Sequence, residues 1–309
     1  MRNLVKSRLW PGALFGQPET KLVCGRPGCG SPSSLLQRMW RRSAGMFLQG
    51  EFYCRPRCAE PALTRQLTQL SSTQPPTLPP HRMPLGLLMV ARGQLTYPEV
   101  AASLEAQRRA RYGTIGDWFE KLGFATEQEV VSALGLQWGC PVASSLDSGV
   151  LPAFCQIPWP ILNALQMLPL QYAATTQTLS LGCGQRIDHG ALYEIEKMIG
   201  CRTLPCAGGR KTIAWRLDQL HQLPRLNEVG FGPVNDPSEV GRIGLSYINK
   251  LGAQDVRLAR VAQFIWLRLK SRSSCVDITF EIRISTERKG APRLLFRSAP
   301  SMRAATTSA

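Results

Sequence analysis

The chain has 309 residues, 44% of them hydrophobic and 19% charged, which is apolar material for two or three small cores rather than one extended tail. Thirty-seven Lys and Arg against 21 Asp and Glu give a net charge of +16; this suits nucleic acid, an acidic membrane surface or a nucleotide as partner, or else a solvated basic surface. No apolar run approaches the ~20 residues of a membrane helix, and Met1–Gln17 interleaves its Lys and Arg with Leu and Trp, so neither a transmembrane segment nor a signal peptide is read and a cytoplasmic protein is expected.

The first unit, residues 1–70, is basic and holds Cys24-x4-Cys29 and Cys54-x3-Cys58. Two close pairs joined by a returning loop are what tetrahedral thiolate coordination of zinc requires, each pair supplying two ligands from one tight turn. Gly25, Pro27 and Gly28 supply such a turn, and the second pair opens a helix whose positive end favours thiolates. The expectation is a structural zinc ribbon or treble-clef knuckle. Four unrelated cysteines or two local disulfides are the alternatives. Cys140, Cys155, Cys183, Cys201, Cys206 and Cys275 lie in apolar segments and read as small buried hydrophobes.

Residues 71–83 are rich in Ser, Thr and Pro and read as a stiff linker. From Pro84 to Gln137 the same pattern runs twice at a spacing of thirty residues. Leu85/Ile115, Gly86/Gly116, Met89/Phe119, Gly93/Gly123, Thr96/Thr126, Glu99/Glu129, Val100/Val130, Leu104/Leu134 and Gln107/Gln137 all fall in register, the mark of a repeated structural unit. Each copy predicts a helical hairpin. A short helix stops at Gly93 or Gly123, and a second starts at the capping boxes Thr96-x-x-Glu99 and Thr126-x-x-Glu129. The stripes Val100/Leu104 and Val130/Leu134 are expected to pack the two copies together. After Cys140, short β runs alternate with helical ones as far as Leu223, a small α/β unit.

Asn227–Ser238 reads as a second linker. A helix over Glu239–Leu251 ends at Gly252, followed by strands in QFIWLRLK and in CVDITFEIRI, the latter alternating at period two with one face buried. Residues 227–285 thus read as a separate small α+β domain, and 286–309 as a disordered basic tail. The fold class expected is multidomain α+β.

Among catalytic patterns, Gly208-Gly209-Arg210-Lys211-Thr212 lacks the spacing of a phosphate loop and predicts a loop opening a helix; H-E-x-x-H and G-x-S-x-G do not occur. His81, His189 and His221 are read as surface residues. No enzyme is expected.

The tandem pattern, with LQWGCPVASSL, QIPWPILNALQMLPLQYA, TLSLGCG and ALYEIEKMIGCRTLPCAGGRKTIAWRLDQLHQL, resembles the N-terminal domain of the type II secretion and type IV pilus assembly ATPases, the GspE N-terminal or MshEN domain, over residues 84–223. Glu239–Ile284 is similar to the small domain that follows there, but no motor motif follows it here. That resemblance implies cyclic di-GMP binding on the tandem motif. The matching positions are Leu85, Gly86, Met89, Gly93, Val100, Leu104 and Gln107, then Ile115, Gly116, Phe119, Gly123, Val130, Leu134 and Gln137. The motif's leading arginine is replaced by Pro84 and Thr114, with Arg82, Arg109 or Arg111 as nearby substitutes. It further implies a non-catalytic adaptor serving a secretion or pilus apparatus, cytoplasmic or peripheral at the inner membrane. A nucleic-acid-binding zinc protein, a truncated ATPase and a scaffold that has lost its ligand are the alternatives.

Overall fold

The computed structural model describes residues 23–29, 45–72, 83–222, 227–234 and 236–282. Most of the expected linker, Arg82 and His81, and the expected tail from Thr286 lie outside the described residues.

Two sheets organise these residues into a multidomain α+β fold. The larger has six strands: β1 (Met46–Leu48), β2 (Glu51–Tyr53), β6 (Glu228–Val234), β7 (Asp255–Val261), β8 (Phe264–Lys270) and β9 (Cys275–Ile282), in the order β2-β1-β7-β8-β9-β6. The pairs β1–β7 and β9–β6 are parallel and the rest antiparallel. The three-stranded sheet, β3 (Met167–Ala173), β4 (Thr178–Cys183) and β5 (Arg202–Ala207), runs in chain order.

The larger sheet overturns the expected division of the chain. The four-cysteine segment and the segment after residue 227 are not two modules; β1 joins β7, with Phe47 opposite Asp255 and Leu48 opposite Val256. Helices α1 (Pro56–Ser72) and α9 (Pro237–Leu251) lie side by side on one face of that sheet. They bury Leu63, Leu67, Val240 and Ile248 against Val256, Leu258, Ile265, Leu267, Ile278 and Phe280. The tandem domain is therefore inserted between two halves of one folding unit. The physical reason is core size: a pair of three-residue strands and one helix cannot bury enough apolar surface alone.

Asn227–Ser238 also departs from expectation, because most of it is strand β6. Its Gly230, Gly232 and Pro233 look like a linker, but β6 is an edge strand, where a proline's missing N–H breaks no ladder. Strand β9 is buried on both faces at its centre. Ile278 and Phe280 face α1 and α9, and Asp277 and Thr279 are buried as well.

The inserted unit begins with α2 (Leu85–Ala91), α3 (Tyr97–Ala110), α4 (Ile115–Lys121) and α5 (Glu127–Trp138). Gly93 and Gly123 take φ of +70° and +73°, the left-handed stop expected of each hairpin. Thr96 and Thr126 donate backbone and hydroxyl hydrogens to Glu99 and Glu129 at 2.7–2.8 Å. A third capping box, Thr114 with Asp117, starts α4. The copies share one core through Leu85, Met89, Leu95, Phe119, Ala125, Val130 and Ala133, with Val100 and Leu134 partly buried against it; of the expected stripes, Leu104 lies outside this core.

After α5 come a 3-10 turn at Ala153–Cys155, helix α6 (Trp159–Leu165), and helices α7 (His189–Ile199) and α8 (Arg210–Gln222) around the small sheet. The outer edge of β5 is closed to further strands. The Thr203 N–H goes to Glu196 at 2.7 Å, Pro205 has none, and that of Ala207 goes to Pro141 at 2.8 Å. Helix α7 packs on β7, so Ala259, Val261, Phe264 and Trp266 join the core of the inserted unit. At this junction Arg268 is held by Asp277 at 2.8 and 2.9 Å and donates to the carbonyls of Phe154, Gln156 and Met198. Burial opposes its charge, but the Asp277 carboxylate holds the guanidinium above its ordinary pKa.

Candidate functional site

Two features stand out from the packing. The first is the cysteine cluster. The turn Cys24–Cys29, the hairpin β1–β2 and the start of α1 bring all four sulfurs within 4.8 Å of one another. Cys29, Cys54 and Cys58 are mutually 3.7, 3.9 and 3.7 Å apart. A tetrahedron of thiolates around an ion at the usual Zn–S length of ~2.3 Å has edges of roughly 3.8 Å. The donor set and spacing therefore fit such an ion. The order of knuckle, hairpin and helix is that of a treble clef, one of the two arrangements expected from the sequence, rather than a zinc ribbon.

The other six cysteines stand apart from that cluster. Cys155 and Cys201 touch at 3.9 Å in the core. Burial pushes the Cys183 thiol up to about 12, which leaves it an inert hydrophobe.

The second feature is a cavity of about 550 Å³ between the second hairpin and the loops before α7 and α8. Leu85, Ile115, Gly116, Val130, Leu134 and Trp138 supply its apolar wall. Gly184, Gln185 and Arg186, with Gly208, Gly209 and Arg210, close the opposite side. Pro84 and Thr114, the two positions where the resemblance calls for arginine, both line it. The nearby substitutes expected from sequence do not. Arg109 is exposed and paired with Glu105, Arg111 is an exposed cap of α3, and Arg82 is outside the described residues. The cations lining the cavity are instead Arg186 and Arg210, contributed by the α/β unit.

Asp117, Glu120 and Glu127 make the cavity mixed in charge. Arg210 reaches Asp117 at 3.4 Å and Lys211 reaches Glu120 at 2.5 Å, two ion pairs tying the start of α8 to α4. Burial would raise the Asp117 pKa, but the Thr114 backbone and hydroxyl donors, with Arg210 and Lys211, hold it below the usual carboxylate range. The hydrogen bond from Lys211 to Glu120 raises the pKa of the ammonium in turn.

Most of the fourteen motif residues have structural duties. Met89 and Phe119 are fully buried. Gly86 and Gly116 are neither turn formers nor open backbone: a Cβ on either would lie 2.9 Å from a methyl of Val100 or Val130, so each lets the two helices of its own hairpin close. Gln107 donates to Gly113 O at 2.9 Å and Gln137 to Met83 O at 2.8 Å, each holding the entry of the other copy. Val100 is half-buried against the shared core, and Leu104 faces solvent at 37% exposure. Only Leu85, Ile115, Gly116, Val130, Leu134 and Gln137 of the fourteen line the cavity. Sequence reasoning missed Arg186 and treated Gly208–Lys211 as a mere loop; it does open α8, and its backbone is also cavity wall.

No family model and no curated protein matches the chain. Among solved structures the chain is similar to a structure of MshE with cdg, at 20% identity and a TM-score of 0.36, over 45% of this chain and 99% of that one. It is also similar to two structures of the N-terminal domain of XpsE, each 16% identical. Their TM-scores are 0.33 and 0.27, with 44% and 42% of this chain and 92% and 89% of theirs covered.

Proposed function

We propose that this chain is a non-catalytic adaptor of a secretion or pilus assembly apparatus, and that it takes cyclic di-GMP in the cavity beside its second hairpin. The observation that carries the reading is the meeting, in one hollow, of Pro84 and Thr114 with Arg186 and Arg210. The motif's arginines are absent from the hairpins, and two arginines enter the same space from the neighbouring unit. A guanine edge presents N–H donors to carboxylates and O6/N7 acceptors to a guanidinium. Asp117, Glu120 and Glu127 with the two arginines offer both kinds of partner, and an arginine also pairs phosphate. The volume falls within the ~300–1,000 Å³ of small-molecule sites.

The four cysteines hold a structural zinc ion in this reading. A closed four-thiolate set leaves no open coordination position for catalysis, so the ion serves the fold. The same reading takes Gly208-Gly209-Arg210-Lys211-Thr212, which lacks the spacing of a phosphate loop, as helix start and cavity wall rather than a triphosphate cradle.

A second reading, a scaffold that keeps the fold without the ligand, is favoured by the structural work of Met89, Phe119, Gly86, Gln107 and Gln137. Ligand-induced melting shifts separate the two. Cyclic di-GMP should raise the Tm of the intact protein, and Arg186→Ala combined with Arg210→Ala should abolish the rise, measured against the variant's own unliganded melt, which the loss of the Arg210–Asp117 pair lowers slightly. An unchanged Tm at saturating nucleotide would favour the scaffold.

A further inference from the structure

The junction between the two tandem copies presents a surface that neither the shared core nor the cavity uses. Helix α3 ends and α4 begins around Arg111-Tyr112-Gly113, where Arg111 and Gly113 both have positive φ. Tyr112 is 59% exposed and packs at 5.6 Å against Trp118, whose indole N–H donates to Tyr112 O at 3.0 Å. The Lys121 ammonium lies 4.5 Å from the Tyr112 ring centre and 4.8 Å from that of Trp118. Leu104, Arg108 and Arg111 follow at helical spacing i, i+4, i+7 on α3 and its cap, all exposed. Leu122, 40% exposed, ends α4.

Charge is segregated across α4. Its carboxylates Asp117 and Glu120 point to Arg210 and Lys211 of α8. Among the described residues, Arg108, Arg111 and Lys121 have no carboxylate partner, and the one acid beside them, Glu105, is taken by Arg109.

The repeat supplies an internal control. Thirty residues earlier, the positions of Trp118 and Lys121 are Leu88 and Ala91. At those two positions the hairpin fold is satisfied without an aromatic or a cation, so Trp118 and Lys121 are not a demand of the fold.

We propose that the α3–α4 corner docks on an anionic lipid surface. Tyr and Trp, with one apolar and one polar end, settle at the level of lipid headgroups. Arg108, Arg111 and Lys121 meet the headgroup phosphates, as juxtamembrane basic clusters do. Leu104 and Leu122 add apolar area, which a single-stranded nucleic acid would not reward; moreover, one face of the aromatic pair is occupied by Lys121 rather than open to base stacking.

Flotation of the full chain tests this, using vesicles of phosphatidylcholine alone and of an equimolar mixture with phosphatidylglycerol. The protein should float with the anionic vesicles and not with the neutral ones. Reversing the corner (Arg108→Glu, Arg111→Glu, Lys121→Glu) should cut partitioning at least about tenfold. Reversing three exposed cations elsewhere (Arg92→Glu, Arg202→Glu, Lys250→Glu) should change it by less than about twofold. The single change Arg111→Glu, at an exposed cap, should give a smaller loss in the same direction and serves if the triple variant melts early. Equal losses from both triple variants would assign binding to diffuse charge and overturn the proposal. So would absence of flotation, or a corner variant that loses only binding to a single-stranded oligonucleotide.

Discussion

Gly86 and Gly116 occupy matching places and meet matching valines, so each position tests the other. A methyl added at either lies 2.9 Å from valine Cγ1 in the hairpin core. We expect Gly116→Ala to cost about 1–3 kcal/mol in urea unfolding, with part regained by Val130→Ala. Gly209→Ala brings its Cβ to 2.1 Å from Glu127 Oε1, a nominally worse contact. It should nevertheless cost less, because a carboxylate at the end of a flexible side chain can swing aside; the reverse order of stabilities would refute this packing account. Asp117 gives a pH signature. Its pKa is depressed in the folded state, so its stabilisation is present above the unfolded carboxylate pKa of ~3.9 and fades as pH falls through the lower folded value. Asp117→Asn should therefore lose about 1 kcal/mol at neutral pH, the usual weight of a cap. The gap to the parent should close in acid, and a gap independent of pH would mean that charge is not the cause. At this scale the sequence was informative where one residue type answers one local need: left-handed stops at Gly93 and Gly123, carboxylates three residues after Thr96 and Thr126. It was silent on Arg186, because nothing local marks a cation that reaches a cavity walled by hairpin residues as distant in sequence as Pro84 and Trp138.

Elements joined across the chain were the hardest to foresee. The strand β7 carries Arg257, Ala259 and Arg260 between its apolar residues, and β6 hides behind glycines and a proline; only pairing with β1 and β9 makes them strands. The four helices of the tandem hairpins, with their caps, and α7 and α8 were legible, as were the β runs that became β3, β4 and β5; the short α6 was not, since its seven residues follow Pro158 and are too few to show a period. Because the cysteine hairpin and the strands β7–β9 form one sheet, the knuckle should not unfold by itself. Chelation, or Cys54→Ser, should speed amide exchange at Val256 and Leu258 as well as at Phe47 and Leu48, since β1 and β7 share hydrogen bonds. Loss of protection confined to residues 45–54 would contradict the shared sheet. Arg268 provides a second test of how elements are joined. Arg268→Ala leaves Asp277 buried without its partner and should cost about 3–5 kcal/mol. Replacing both, Arg268→Met with Asp277→Leu, should cost clearly less than the single change, because no unpaired charge remains.

For the whole molecule, the arrangement is an insertion: one sheet assembled from both ends of the described chain carries the tandem domain on its second face. The Arg268 contacts to Phe154, Gln156 and Met198 and the packing of α7 on β7 connect the two units. A ligand between α4 and α8 and a metal at the far sheet edge would thus act on one continuous body. The reading with most at stake is the cavity, and calorimetric titration of the 309-residue chain with cyclic di-GMP tests it directly. Our account predicts saturable binding that is lost in the Arg186→Ala, Arg210→Ala double variant, strengthened by Thr114→Arg, and absent with GTP as titrant. No heat at high micromolar cyclic di-GMP, or binding indifferent to Arg186 and Arg210, would contradict it.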